Sequence, residues 1–140
     1  MGNRVILLSI KPIYAKKIIN GQKTVELRKR IPKSLNKGDR IVLYVSSPYK
    51  EICGSFTVGG IIRDEIKKLW VKIKENACIS KQEFENYFST NDYGYGILID
   101  RYQNFSKPIS LAEIKNNNDT FIVPQSYRYI KTTELIYIQR

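Results

Sequence analysis

The sequence predicts an α+β fold in which five to six mixed or antiparallel strands form a small barrel. A short helix follows the first strand, and a helical insertion occupies about residues 64–90. Short apolar runs bounded by turn residues, such as Val5–Leu8, indicate the strands. Three glycines indicate a bulge or a barrel corner within one strand: Gly54, Gly59 and Gly60. Helical apolar spacing marks the insertion at Ile66, Leu69, Trp70 and Ile73.

The first sixty residues predict four strands and one helix. The short links between these strands imply antiparallel pairing. Pro12 suits the first turn of the helix, and Asn20–Gly21 suits its end. The apolar stripe of this helix is expected at Ala15, Ile18 and Ile19. The predicted strands are residues 4–10, 23–29, 40–46 and 52–62.

The remaining residues predict three further helices and two strands. The first helix, at 64–75, begins with two acids that favour a helix N-terminus. Ser80 with Glu83, and Ser110 with Glu113, have the spacing of capping boxes. The buried stripe of the second helix is expected at Phe84, Tyr87 and Phe88. Strands are expected near residues 94–102 and at 132–138, with a loop at 116–119.

Length and composition indicate one domain spanning residues 1–140, long enough to bury a core without a metal or a disulfide. No apolar run reaches the ~18 residues of a membrane span, and no signal peptide is recognised, so a cytoplasmic location is expected. Cys53 and Cys78 are expected to be free thiols. Histidine is absent, which removes the usual general base and argues against a zinc site. Neither a metal nor a cofactor is expected.

The positive charge is concentrated in the first third of the chain. The net charge is +11, and residues 1–50 hold twelve Lys or Arg against two acids, Glu26 and Asp39. Residues 51–140 are almost balanced, with twelve bases and eleven acids. This distribution favours a polyanionic partner such as RNA or DNA. The alternative is a solvated basic face that only maintains solubility.

The segment from Gly21 to Arg28 carries the most informative pattern. In a strand, alternation places Thr24, Glu26 and Arg28 on one face, whereas Lys23 follows a glycine turn and can point either way. Three charges at the mouth of a short strand are costly in an apolar core. They indicate a pocket for an anionic or strongly hydrogen-bonding ligand, although Glu26 could instead form a structural salt bridge to Arg28 or Arg40.

These residues resemble the ASCH family of the PUA-like superfamily. The family signature is a glycine, any residue, a lysine, four residues and an arginine, matched here by Gly21, Lys23 and Arg28. The strand opening at Gly38–Asp39 and the later segment Pro124–Tyr129 add to the resemblance, which runs from about Leu7 to Tyr129. The resemblance implies a PUA-like pseudo-barrel and a function connected with RNA.

That family includes RNA-associated proteins, predicted transcription regulators, an amidohydrolase acting on modified cytidine, and reported ribonucleases. The resemblance implies that Lys23 corresponds to the amidohydrolase lysine, which acts with a threonine and a glutamate. The threonine position falls at Glu26, and a glutamate poorly replaces a hydroxyl nucleophile. The amidohydrolase interpretation is therefore weakened but stays open.

Three groups of candidate site residues follow. If the protein is an enzyme, the catalytic candidates are Lys23 and Glu26. Contacts to the phosphate backbone are expected from Lys29, Arg30, Lys33 and Lys37. Candidates for binding nucleic acid or a smaller ligand are Ser9, Lys11, Lys23, Glu26, Arg28, Tyr44, Ser46, Tyr95, Gln125 and Arg128.

The leading hypothesis is an RNA-binding protein with a nucleotide-sized cleft at the barrel mouth, acting in RNA-linked or transcriptional regulation. The alternative is an enzyme of the same fold, either a modified-nucleoside amidohydrolase or a ribonuclease, that uses Lys23 and Glu26. A nucleotide or nucleoside is a further candidate ligand, no membrane contact is expected, and the chain is expected to be a monomer or weak dimer. Whether the pocket is catalytic stays open.

Overall fold

One curled six-stranded sheet forms a half-barrel in the computed structural model, which describes residues 4–138. The spatial order of the strands is β2-β5-β4-β3-β1-β6. The α+β class predicted from the sequence is confirmed. The strands are β1 Val5–Ile10, β2 Val25–Arg28, β3 Arg40–Val45, β4 Glu51–Glu65, β5 Tyr93–Ser110 and β6 Tyr127–Tyr129. The helices are α1 Pro12–Ile19, α2 Ile66–Ile73, α3 Lys81–Tyr87, α4 Leu111–Asn117 and α5 Leu135–Ile138.

The pairing of the first strands differs from the antiparallel prediction. β1 pairs in parallel with β3, with Val5 opposite Arg40, while β2 leaves this part of the sheet and pairs antiparallel with β5. Parallel neighbours need a long crossover, and the segment containing α1 and β2 supplies it. The short links do not produce antiparallel pairing here, because β2 pairs with neither β1 nor β3, its neighbours in the sequence.

The two longest strands, β4 and β5, bend around one another through irregular pairing. The register shifts between Ile52 and Gly54, between Ser55 and Thr57, and between Val58 and Gly60. These shifts confirm the predicted bulges. A Cβ at Gly54 would collide with the carbonyl oxygen of Gln103 and the hydroxyl of Tyr102, so the close approach of the two strands requires glycine there.

The helices largely follow their sequence signals. Gly21, at φ +81°, ends the turn after α1, and Ser80 and Glu83 form the expected capping box of α3. Two residues predicted to belong to the buried stripes of their helices are instead exposed, Ile19 at 40% and Tyr87 at 36%. α2 begins only at Ile66 because the preceding acids still belong to β4.

The predicted final strand at 132–138 is wrong. This segment forms a 3₁₀ turn at Thr132–Glu134 followed by α5. Glu134 and Ile138 are buried while Ile136 between them is 79% exposed, which fits a helical face but not strand alternation. The Glu134 carboxylate also accepts a hydrogen bond from the Lys131 backbone N–H, which holds the turn.

Three clusters of buried side chains surround the sheet. One covers one face of the sheet around Ile41 and Phe56, and another covers the opposite face around Val42 and Phe105. The third lies between the insertion and β2. Cys53 and Cys78 are free thiols, as predicted. In the part of the chain that the structure describes, no helix is long and apolar enough to cross a membrane.

Candidate functional site

A cleft of about 380 Å³ opens where the edge strand β2 approaches β1 without pairing to it. This volume lies at the lower end of the ~300–1,000 Å³ typical of ligand pockets, which suits one nucleotide-sized group. The cleft is lined by Ser9, Ile10, Lys11, Tyr14, Lys23, Glu26, Leu27, Arg28, Ser46, Ile79, Glu83, Tyr87 and Gln125.

Lys23, Glu26 and Arg28 form one connected charge cluster in the cleft. Lys23 Nζ lies 3.4 Å from Glu26 Oε1 and donates a hydrogen bond of 2.9 Å to the Ala77 carbonyl. Glu26 Oε2 accepts from Arg28 Nε at 2.9 Å and lies 2.7 Å from Arg28 Nη2. Lys23 is 3% and Glu26 5% exposed, so the pair is almost withdrawn from bulk water.

Arg28 connects the two sides of the opening. Besides holding Glu26, its Nη2 donates to the Ser9 carbonyl on β1 at 2.9 Å. Its Nη1 lies 3.5 Å from Ser126 Oγ, at the long limit of a hydrogen bond. The guanidinium therefore fills the gap between the strand edges, a task that its planar, multi-donor geometry suits.

The position of Lys23 follows from the turn before β2. Gly21 has positive φ, and the Lys23 N–H bonds back to the Lys17 carbonyl at the end of α1. Lys23 therefore lies before the strand, which begins at Val25, and strict alternation does not apply to it. Its side chain joins those of Glu26 and Arg28, whereas Thr24 is exposed.

Burial controls the protonation of the cleft side chains. Desolvation lowers the pKa of Lys23 from its ordinary value, and the nearby Glu26 carboxylate only partly opposes this effect. Burial also raises the pKa of Tyr14, and the negative charges of Glu83 and Glu26 add to that shift. The pKa of Tyr87 is raised as well, mainly by desolvation. These shifts favour neutral forms of all three groups.

Sequence reasoning missed the aromatic side chains of the cleft. Tyr14 projects from α1 and Tyr87 ends α3. The Lys23 ammonium lies 5.4 Å from the centre of the Tyr14 ring, and Lys29 Nζ lies 4.8 Å from that of Tyr87. Tyr14 lies three residues after Lys11, the N-cap residue of α1, and the Tyr14 N–H donates to the Lys11 carbonyl at 3.1 Å.

The cleft brings together most of the sequence-predicted ligand-binding residues. The two catalytic candidates, Lys23 and Glu26, are among them and are paired to each other. The predicted residues that line the cleft are Ser9, Lys11, Lys23, Glu26, Arg28, Ser46 and Gln125.

Three predicted binding residues lie outside this cleft. Tyr44 is buried and lines a neighbouring hollow with Lys50 and Lys115. Tyr95 lies opposite Arg28 in the β2–β5 register but does not reach the opening. The structure thus separates these tyrosines from the cleft, although Tyr95 shares a face of the sheet with Arg28.

Arg128 is the third residue outside the cleft. Its Nη1 and Nη2 bond to the two carboxylate oxygens of Glu134 at 2.8 and 2.9 Å, and its Nε donates to the Ile122 carbonyl. The guanidinium also lies 4.9 Å from the centre of the Phe121 ring. These contacts anchor the C-terminal turn and engage the donors that a ligand would need, which indicates a structural part for Arg128.

The four predicted phosphate-contacting residues belong to the segment after β2. All four are exposed, and none forms an ion pair within residues 4–138. Their positive charge is therefore free for an external partner, in contrast to the internally paired cleft. They are Lys29, Arg30, Lys33 and Lys37.

The fold is a curled α+β half-barrel with a charged cleft at its open seam. The family model for the ASCH domain matches residues 8–121, and the chain belongs to this family. An ASCH domain-containing ribonuclease of Zymomonas mobilis is 30% identical over 128 residues, which are 91% of this chain and 85% of the relative.

Crystal structures of the Zymomonas ASCH protein are similar in fold to this chain. The crystal structure of ASCH from Zymomonas mobilis has a TM-score of 0.87 and 29% identity, and the match covers 95% of this chain and 92% of the other. A tyrosine-to-phenylalanine mutant of that protein has a TM-score of 0.88 at 28% identity, with 96% of each chain covered.

A second relative by sequence is the large ribosomal subunit protein uL22 of Ureaplasma parvum. It is 26% identical over 127 residues, which are 90% of this chain but 39% of that protein.

Proposed function

We propose that this protein binds RNA, with one nucleotide in the cleft and the phosphate backbone on an exposed basic segment. This basic segment contains Lys29, Arg30, Lys33 and Lys37. The observation that carries the proposal is the division of charge between two adjacent regions. The cleft cations Lys23 and Arg28 are paired with Glu26, whereas the lysines and arginine at 29–37 are exposed and unpaired within the described residues. Unpaired surface cations attract polyanions through counterion release.

Two relatives support RNA as the polyanion. The Zymomonas relative is described as a ribonuclease, and the Ureaplasma relative is a ribosomal subunit protein. The strong surplus of positive charge in residues 1–50 agrees with a nucleic-acid partner. A role in RNA-linked or transcriptional regulation in the cytoplasm belongs to the same proposal.

Charge reversal in the basic segment tests the proposal. The Lys33→Glu, Lys37→Glu double variant is titrated with a single-stranded RNA at several salt concentrations, with DNA of the same sequence in parallel. We expect weaker binding and a plot of log K against log salt that is shallower by about 1.4, since each lost phosphate contact removes about 0.7 on a single strand.

A second double variant separates placement from net charge. Lys67→Glu, Lys68→Glu changes the net charge by the same amount, but within residues 51–140, where charges nearly balance. We expect it to keep nearly the native salt dependence. Equal effects of both variants, or a native slope after reversal at 33 and 37, would contradict the proposal.

A ribonuclease is the second candidate function, and the Zymomonas relative specifically favours it. The lowered pKa of Lys23 increases the neutral fraction of its amine, which could then accept a proton from a ribose hydroxyl. Arg28 or Lys11 would stabilise developing negative charge. Modified-nucleoside hydrolysis stays a variant of this candidate, although Glu26 stands where a hydroxyl nucleophile is needed.

Incubation of total cellular RNA with the native protein and with Lys23→Met tests both reactions. Fragment sizing reports cleavage, and nucleoside mass spectrometry reports loss of a modified nucleoside. Either change, if abolished by Lys23→Met in a folded protein, would establish an enzyme. Intact RNA with an unchanged nucleoside profile would leave binding alone as the function.

A further inference from the structure

We infer that the cleft is a slot for an unpaired nucleobase rather than for a phosphate, with Tyr14 and Tyr87 as its stacking residues. This inference rests on the proposed RNA binding and adds which part of the nucleotide enters. Aromatic side chains hold exposed bases in many RNA-binding proteins because every base offers a flat π-face. The two tyrosines line the cleft from different helices, α1 and α3.

The charge cluster is poorly suited to a phosphate. One Lys23 proton is directed to the Ala77 carbonyl, and Arg28 donates to Glu26 and to the Ser9 carbonyl. The Glu26 carboxylate lies among these donors and would repel a second anion. Burial further lowers the pKa of Lys23, which reduces the positive charge available.

The same cluster suits the polar edge of a base. Two nitrogens of Arg28, Nε and Nη2, contact Glu26 Oε2. The other oxygen, Oε1, has a longer contact to Lys23 Nζ at 3.4 Å. Oε1 is thus free to accept a hydrogen bond, and Lys23 Nζ beside it retains a donor. An adjacent acceptor and donor match the neighbouring N–H and C=O or ring-nitrogen groups of a base edge.

The surroundings of Tyr87 connect this slot to the basic segment. Lys29, an exposed candidate for the phosphate backbone, lies over the Tyr87 ring at 4.8 Å. The Tyr87 and Phe88 rings also pack edge to face, with 4.7 Å between ring centres. A base against Tyr87 would therefore place its own phosphate near Lys29. Leu27 and Ile79 supply apolar contact inside the cleft.

Binding of two single strands with equal backbone charge tests the inference. Octauridylate is compared with an abasic octamer of the same ribose-phosphate backbone by fluorescence anisotropy at one salt concentration. We expect the abasic strand to bind less tightly. Tyr14→Leu and Tyr87→Leu should each weaken octauridylate binding by about five- to 150-fold, the range for losing one base–aromatic stack, with little effect on the abasic strand.

Matched variants distinguish stacking from other causes. Tyr14→Phe and Tyr87→Phe keep the rings and should bind octauridylate as the native protein does. Tyr93→Leu removes a similarly exposed tyrosine that contacts Arg63 outside the cleft, and should also bind normally. Circular dichroism confirms that each variant is folded.

Two results would overturn the base slot while RNA binding stands. One is equal affinity for octauridylate and the abasic octamer, which would indicate backbone recognition alone. The other is unchanged octauridylate binding by both folded leucine variants. Loss of the salt-dependent RNA binding itself would instead contradict the proposed function, so the two failures are distinguishable.

Discussion

At the scale of single residues, two ion pairs join Lys23, Glu26 and Arg28 in the cleft. Gly21, Lys23 and Arg28 stand out in the sequence by spacing, and Glu26 is one of only two acids in residues 1–50. The hydrogen-bond partner of Lys23 could not be predicted, because Ala77 lies 54 positions away in the insertion. Tyr14 was missed for a similar reason, since helical spacing shows a face but not what that face meets.

Glu26→Gln tests the cluster as a structural unit. The substitution keeps the shape of the side chain but leaves two cations without their carboxylate at a site where Glu26 is 5% exposed. Removing one partner of a buried pair is strongly destabilising, so we expect a loss of about 3 kcal/mol in the free energy of unfolding. Urea denaturation measures the loss.

Asp100→Asn is the matched control for that measurement. Asp100 pairs with Arg101 at 3.8 Å on the surface, where both side chains are largely exposed. Such pairs contribute little because water screens them, so the midpoint should hardly move. A Glu26→Gln midpoint as close to native as this control would show that the cleft charges are not interdependent.

The depressed pKa of Lys23 predicts an alkaline dependence of stability. Between the lowered folded pKa and the ordinary value of 10.5, the unfolded chain holds the Lys23 proton while the folded chain has released it. Unfolding then takes up protons, so the contribution of Lys23 to stability rises as pH rises through that window. Below the folded pKa its contribution is constant.

Comparison with Lys23→Met isolates this effect from other titrating groups. The difference in free energy of unfolding, native minus variant, should increase with pH toward 10.5 in a series of urea titrations. A difference that stays flat or decreases over that range would mean that the lysine keeps its proton when buried.

At the scale of elements, the sequence predicts correctly those features that depend only on residues close together in the chain. The capping box of α3 and the glycine bulges of β4 formed as predicted because each depends on residues close in sequence. Strand partners and the C-terminal turn depend on distant contacts. The alternation at 132–138 predicts a strand, but the bond of Arg128 to Glu134 and the exposure of Ile136 between two buried residues favour a helical turn.

The cap of α3 should influence ligand binding because this helix carries Tyr87. Ser80 Oγ accepts from the Glu83 N–H at 3.1 Å, and Ser110 Oγ accepts from the Glu113 N–H at the same distance in α4. Ser80→Ala and Ser110→Ala should each cost about 1 kcal/mol of stability. Only Ser80→Ala should also weaken RNA binding, as measured by anisotropy, and equal binding losses would contradict the position of the slot.

At the scale of the whole molecule, the insertion is joined to the sheet by more than its flanking strands. Leu69 and Ile73 of α2 pack in one buried cluster with Val25 and Leu27 of β2. The Thr24 N–H also bonds to the Asn76 carbonyl at 2.8 Å. The cleft needs both parts, because the Lys23 side chain bonds to a carbonyl of the insertion. That residues 1–140 form one folding unit stays a prediction, and these shared contacts are its physical reason.

Equilibrium unfolding tests whether the insertion and the sheet unfold together. The chain has a single tryptophan, which lies in the insertion. Trp70 packs against Phe84 with 5.0 Å between ring centres, so its fluorescence reports the insertion. Far-UV circular dichroism reports the helices and strands of the whole molecule. Coincident urea midpoints from the two probes are expected for one cooperative unit. An earlier fluorescence transition would mean that the insertion unfolds first and exposes Lys23, and the cleft would then exist only while a weaker subdomain stays docked.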